Sequence, residues 1–286
     1  MKSRKETPQP WTVGIIGLGH VGTITRDALQ LRSRVVTYDI AQHREYPYAE
    51  LVSCDYVVIC VNTPSLPTGA ADLSQVHAAF EALPPNIPAV LRSTVPPGTT
   101  LDLAATHRRE VIFWPEYFGE TRFHVPTFGP LDQRPFQIFG AHRTEAFSTW
   151  LDLVAESFGP LVRLYQLPPT EAETVKYMEN CYFAVKTTFV NEFRRLCDSL
   201  GLDWQSVREG WLLDPRVDRD HSDAFKTAPG YGGRCLPKDV RAILAHADAV
   251  GANMPLLHTV RAINDETVAA HEPEPMTDWS TNGHRK

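Results

Sequence analysis

From residue 11 onward, short runs of β-branched and aromatic residues alternate with stretches in which apolar residues recur every three or four positions. WTVGIIG at 11–17 reads as a strand followed by a helix to about Leu31, and VVTYD, DYVVICV, AVLRST, VIFW and PFQIFG read as further strands. Such alternation predicts an open α/β domain in which crossover helices join parallel strands. It ends near LPPTEAE at 167–173, where two prolines interrupt the chain and Thr170 with Glu173 has the spacing of a capping box. From there no glycine or proline intervenes before Gly201, which predicts one long helix to Leu200. At 100° per residue, Met178, Tyr182, Val185, Phe189, Phe193 and Leu196 share one side of that helix, and Lys176, Asn180, Thr187 and Asn191 the opposite side. The polar stripe is either a solvated face or the lining of a site. Further helices are expected at 203–213, from 237 to about 250 and from 254 to about 268, and no internal repeat is visible.

Composition narrows the classes. The 286 residues carry a net charge of -6 and no polybasic run, which argues against a nucleic-acid surface. The longest apolar runs are strand-sized, so no membrane span is expected, and MKSRKETPQP has no apolar signal core, which points to the cytoplasm. Five cysteines, at 54, 60, 181, 197 and 235, lack any short paired spacing. Neither a disulfide framework nor a zinc site is expected, and the eleven histidines have no metal-ligand spacing.

Two stretches carry chemistry. GLGHVG at 17–22 is GxGxxG between a strand and a helix. Gly17 permits the turn, Gly19 lets backbone approach a pyrophosphate, Gly22 allows close packing, and the helix amino terminus faces the phosphates. Asp39, twenty residues beyond Gly19, ends the second strand and is placed to bind a ribose 2′-hydroxyl. The fold expected is therefore a Rossmann-like doubly wound parallel sheet. NAD is the expected cofactor, preferred over NADP because the carboxylate repels a 2′-phosphate; Arg44 keeps the exception open, and flavin adenine dinucleotide is the competing ligand. GYGGRCLPKD at 230–239 presents Cys235 in a glycine loop beside Arg234 and Lys238, which favour the thiolate that attacks carbonyl carbon. The same ten residues also read as a surface turn with an incidental thiol.

In order along the chain, VNTP (61–64), ADLSQV (71–76), STVPPGTT (93–100), PEYF (115–118), ETVKYMENCYFAVKTTFVNEFRRLC (173–197), DPRV (214–217) and the Cys235 loop resemble motifs of the UDP-glucose/GDP-mannose dehydrogenase family, over roughly residues 12–268. The resemblance implies an NAD-binding Rossmann domain at 11–167 and a helical central and dimerisation domain at 168–270 carrying the cysteine loop, while the composition of 1–10 and 271–286 predicts flexible tails. It implies oxidation of a sugar-nucleotide primary alcohol to a carboxylate with reduction of two NAD. Cys235 would add to the aldehyde, Lys176 and Asn180 would stabilise the developing oxyanion, Asp239 with Thr94 would orient or activate water, and Glu116 would assist proton transfer. Cofactor contacts are expected from Gly17, Gly19, His20, Val21, Gly22, Asp39, Val61, Asn62, Thr63, Thr94 and Lys238. Substrate contacts are expected from Glu116, Tyr117, Phe118, Lys176, Asn180, Arg216, Tyr231 and Gly232, with Arg216 reaching the neighbouring subunit of a homodimer formed through the long helix. The other four cysteines match no motif and are expected in the core.

Family members continue beyond the helix resembled by LLHTVRAINDETV into a third domain that holds the nucleotide, and this chain is expected to be a shortened form without it. The segment between Asp39 and Asp55 is also shorter than in the family, and TG at 68–69 stands where DG is usual. A sugar nucleotide or a smaller nucleoside or sugar substrate is therefore expected. The rival outcomes are a redox-neutral dehydratase or epimerase, and an NAD-binding regulatory protein with a dead site.

Overall fold

The computed structural model describes residues 11–42, 45–117, 136–159 and 162–271. Arg44, Phe118, the amino-terminal decapeptide and the residues after His271 lie outside them. The chain divides into two units, Met1–Met178 and Glu179–Lys286.

Among the described residues of the first unit, seven strands form one sheet: β1 (Trp11–Ile16), β2 (Ser33–Tyr38), β3 (Tyr56–Ile59), β4 (Ala89–Leu91), β5 (Val111–Phe113), β6 (Phe136–Gly140) and β7 (Arg163–Leu167). Their order is β2-β1-β3-β4-β5-β6-β7. The helices between them are α1 (His20–Leu29), α2 (Tyr48–Leu51), α3 (Ser74–Ala82), α4 (Thr99–His107) and α5 (Glu145–Phe158). The doubly wound sheet is present. It departs from all-parallel pairing at one place, where β6 runs antiparallel to β5 through the single pair Phe113↔Gly140. β7, which periodicity alone did not mark, then pairs in parallel with β6.

Both faces of the sheet are buried, which is why its central strands are apolar at nearly every position. Val13, Ile15, Val58, Val90 and Ile112 point to one core with Leu29 of α1 and Phe147 and Trp150 of α5. Ile16, Val57, Ile59, Leu91 and Phe113 point to the other, with Phe80 of α3 and Leu103 of α4. The strand order reverses direction between β1 and β3, and in such sheets ligands bind at the carboxyl ends of the strands flanking that reversal.

The long helix is α6 (Pro169–Leu200), 32 residues, and the division between the units falls within it. In the second unit follow α7 (Trp204–Trp211), α8 (Leu236–Ala249) and α9 (Pro255–Ala269). The solvated-face alternative for the polar stripe is overturned: Lys176, Asn180, Thr187 and Asn191 are all buried. The opposite stripe is the exposed one, with Met178 73% and Tyr182 52% accessible.

The capping-box expectation for Thr170 and Glu173 is also corrected. α6 begins at Pro169, before Thr170, and Glu173 turns to a different helix. Its fully buried carboxylate accepts hydrogen bonds from the backbone N–H of Gly98 (2.6 Å) and Thr100 (2.7 Å) and from the Thr100 hydroxyl (2.5 Å). Those N–H groups open α4, whose preceding residue Gly98 has no side chain to cap it. Burial outweighs the three donors and pushes the Glu173 carboxyl from its ordinary 4.5 up to about 7. The folded protein therefore holds this proton more tightly than the unfolded chain does. Stability from this group is complete below pH 4.5 and declines as pH rises through about 7. Urea denaturation across that window is expected to show a decline of roughly 3 kcal/mol from this group. Glu173→Gln, which cannot titrate, should flatten the profile by that amount.

Candidate active site

At the carboxyl end of β1, Gly17 has φ +90°, and a Cβ there would lie 2.7 Å from the Cys60 carbonyl oxygen. A Cβ on Gly22 would lie 1.8 Å from the Gly17 carbonyl oxygen. Gly19 differs, since a Cβ there would meet nothing within 4 Å. Two glycines thus close the turn against α1 while the third leaves an open approach at the helix amino terminus. His20 is exposed and Val21 half-buried at the start of α1. Asp39 follows β2, and its carboxylate accepts from Leu18 N–H (2.7 Å) and Ala41 N–H (2.9 Å). A carboxylate has about four acceptor positions, so ribose hydroxyls can still donate to it. The open glycine, the helix amino terminus and the acceptor-only Asp39 fit the pyrophosphate and adenosine ribose of NAD.

The loops after β3 and β4 are joined beside it. Ser93 Oγ donates to the Val61 carbonyl (2.7 Å) and Thr63 Oγ1 to the Thr94 carbonyl (2.9 Å), while Asn62 between them is exposed. Thr94 thereby has its backbone fixed by the residue expected to share the cofactor with it.

Under these loops lies a buried charged cluster. Glu116 follows β5, and its Oε1 is 3.9 Å from Lys176 Nζ, with both side chains at most 7% accessible. Lys176 Nζ also lies 4.7 Å from the centre of the Tyr117 ring. Arg92, directly after β4, is almost fully buried, and its guanidinium sits 3.7 Å from the Trp114 ring centre. Burial lowers Arg92 to about 10, opposed by Cys60, Glu116 and Tyr117, so it stays charged at neutral pH. Arg92 escaped sequence reasoning. Its one signal was a cation directly after the wholly apolar strand AVL.

The remaining predicted residues gather in the second unit. Cys235 is the residue immediately before α8, where the helix dipole favours negative charge, and it is half-buried. The other four cysteines are buried, and desolvation pushes Cys54 to about 11 and Cys60 and Cys181 to about 12. One turn into α8, buried Asp239 accepts from Asn180 Nδ2 (2.6 Å) and from Lys238 Nζ (2.6 Å). Asn180 is thus committed to Asp239 through its amide nitrogen, and Lys238 to the same carboxylate. Tyr231 is buried and Gly232 exposed. Arg216 is 87% accessible and forms a bidentate pair with Asp214. The predicted residues therefore form two clusters, one in each unit: Glu116, Tyr117 and Lys176 in the first, and Asn180, Cys235, Lys238 and Asp239 in the second.

The sequence model of the NAD binding domain of the UDP-glucose/GDP-mannose dehydrogenase family matches residues 43–121, and that of the family's central domain matches residues 170–266. The chain belongs to this family. UDP-glucose 6-dehydrogenase of Pseudomonas aeruginosa is 33% identical over 258 residues, which take in 85% of this chain and 54% of that protein. UDP-glucose 6-dehydrogenase AglM of Haloferax volcanii is 31% identical over 256 residues, covering 81% of this chain and 56% of that protein. The chain spans about half the length of the curated relatives it matches. Among solved structures, a UDP-glucose dehydrogenase from Pyrobaculum islandicum matches with a TM-score of 0.76 at 28% identity, over 93% of this chain and 70% of that one. The residues matched by the NAD binding domain model lie within the first unit, and GLGHVG, at the join of β1 and α1, stands before them in the chain.

The glycines separate fold from binding. Gly22→Ala is expected to destabilise the protein by about 2 kcal/mol or more, because the contact is with backbone that cannot move aside. Gly19→Val should leave the melting temperature nearly unchanged and raise the Kd for NAD, measured calorimetrically, by about tenfold or more.

Proposed function

We propose that the protein is an NAD-dependent oxidoreductase that oxidises a sugar hydroxyl, on a sugar nucleotide or a smaller nucleoside-type substrate, through a covalent intermediate on Cys235. The observation that carries this reading is the setting of Cys235: the accessible thiol among five, at a helix amino terminus, one turn from buried Asp239 and its partners Asn180 and Lys238. NAD, when bound, supplies a hydride acceptor. Cys235 holds the substrate carbon after the first oxidation as a thiohemiacetal and after the second as a thioester, which water opens to the acid. Asp239 holds Asn180 and Lys238 by its two oxygens, and in this reading the triad orients the attacking water. Lys176, desolvated beside Glu116, is suited to oppose negative charge developing on the substrate oxygen. Glu116 would receive or return the hydroxyl proton.

The homodimer belongs to the same reading. The exposed stripe of α6 is too apolar for a permanently solvated face, and Tyr182 and Phe189 of that stripe line a cavity of about 250 Å³ together with Arg216. In this reading the stripe meets its copy in a second subunit and Arg216 reaches across, as the family resemblance implies. Phe189→Asp is expected to weaken self-association by about thirtyfold or more, read as a shift to half the mass in analytical ultracentrifugation.

Absorbance at 340 nm tests the chemistry, with UDP-glucose, GDP-mannose and free nucleosides offered in turn. Two NADH formed per acid produced is the expected result, and Cys235→Ala should reduce acid formation roughly a thousandfold or more. Turnover without net NADH would instead assign redox-neutral elimination or epimerisation, and NAD binding without turnover of any sugar a regulatory role.

A further inference from the structure

The loop that delivers Cys235 is anchored at its start by two asparagine side chains that are not among the expected site residues. Asn264 of α9, 4% accessible, accepts from Tyr231 N–H through Oδ1 (2.7 Å) and donates through Nδ2 to the Tyr231 carbonyl (3.0 Å). An amide side chain presents one donor and one acceptor as a peptide group does, so Asn264 pairs with Tyr231 as a neighbouring strand would. Asn191 of α6, also buried, accepts from Gly230 N–H through Oδ1 (3.1 Å), and its Nδ2 donates to the Thr187 carbonyl (2.8 Å). Gly230 has φ +81°, and a Cβ there would lie 2.6 Å from Asn264 Oδ1. The first glycine of GYGG is therefore the residue the paired amides admit. After the anchored Gly230 and buried Tyr231, Gly232, Gly233 and Arg234 are exposed, and Cys235 follows at the start of α8. Three exposed residues, two of them glycine, connect the anchor to the thiol.

We propose that Asn191 and Asn264 are positioning residues: together they clamp the backbone at Gly230 and Tyr231 and so hold Cys235 at the place from which it attacks substrate. This inference rests on the reading of Cys235 as the nucleophile. Asparagine is required at 264 because leucine, of the same shape, leaves both peptide groups of a buried residue unpaired, and aspartate keeps the acceptor but sets an oxygen against the Tyr231 carbonyl.

The test uses the whole protein with Asn264→Leu, Asn264→Asp and Asn191→Ala. Thiol accessibility is read as the rate of alkylation by iodoacetamide, with peptide mapping of the modified cysteines. In Asn264→Leu, Cys235 alone should be alkylated, about threefold or more faster than in wild type, with the four buried cysteines still protected. Amide exchange in the peptide spanning Gly230 and Tyr231 should accelerate about tenfold or more. With a turned-over sugar substrate, kcat should fall about tenfold or more while KM for NAD is unchanged, since the thiol is freed but misplaced. Asn264→Asp and Asn191→Ala should fall between Asn264→Leu and wild type. Unchanged alkylation and exchange in a folded Asn264→Leu protein would overturn the clamp, as would general exposure of all five cysteines, which marks loss of fold. Acid formation that survives Cys235→Ala sinks the nucleophile reading instead, and the alkylation and exchange measurements still decide whether the loop is clamped.

Discussion

A helix that buries its polar face must find a partner for every atom on it, because an unpaired buried amide or ammonium costs more than most single contacts return. α6 accepts that condition along most of its length. Glu173 takes the amino terminus of α4, Lys176 lies beside Glu116, Asn180 binds Asp239, Lys186 reaches both the carboxylate and the carbonyl of Asp218, and Asn191 holds Gly230. Each partner sits on a loop or helix end that bears, or adjoins, a residue with candidate chemistry. The polar face of this one helix thus sets the position of several loops, and the price is an apolar stripe left on the outside.

Within the first unit charged side chains are gathered in the interior. Arg92 and Lys176 are cations, Glu116 is the carboxylate with them, and all three are buried. Trp114 supports the guanidinium through its ring face, and its own indole N–H donates to Gln137 (2.8 Å), which fixes the plane on which Arg92 rests. Charges held in fixed places need little reorganisation when charge forms nearby, and in the proposed reading that is how this cluster would assist the reaction.

What the sequence makes legible is what depends on near neighbours. The strands other than β7, the GxGxxG turn, the extent of α6 and the start of α8 near the cysteine follow from local patterns in the chain. Face assignment on α6 does not. Periodicity separates the polar from the apolar stripe but contains nothing about which of them meets protein, so a buried amide stripe looks like a wet one. Glu173 shows the same limit: its TxxE spacing is real, yet its partner Thr100 lies 73 residues away, and a buried helix end outcompetes a local cap. Asn264 is 33 residues from Tyr231, and the helical pattern around it says nothing of that partner. β6 was legible as a strand, whereas its antiparallel pairing rests on a single register pair that strand-like composition cannot specify.

The long-range partners share a form. Asp39 binds the N–H of Leu18 in the dinucleotide loop, Glu173 binds Gly98 and Thr100 after the STVP turn, and Asn191 and Asn264 bind Gly230 and Tyr231 before the cysteine. In each case a side chain distant in sequence satisfies backbone donors of a glycine-containing loop. Glycine gives these loops the turns they need and at the same time gives them more conformational freedom to lose on folding. A tether to the backbone, rather than to a loop side chain, restores order without filling the space that a ligand must enter. Gly19 and Gly232 remain open, with nothing within 4 Å of where a Cβ would stand, although the backbone close to each is held. Loops fixed in this way lose little further entropy when a ligand arrives, so the geometry for chemistry is set by folding and not by binding.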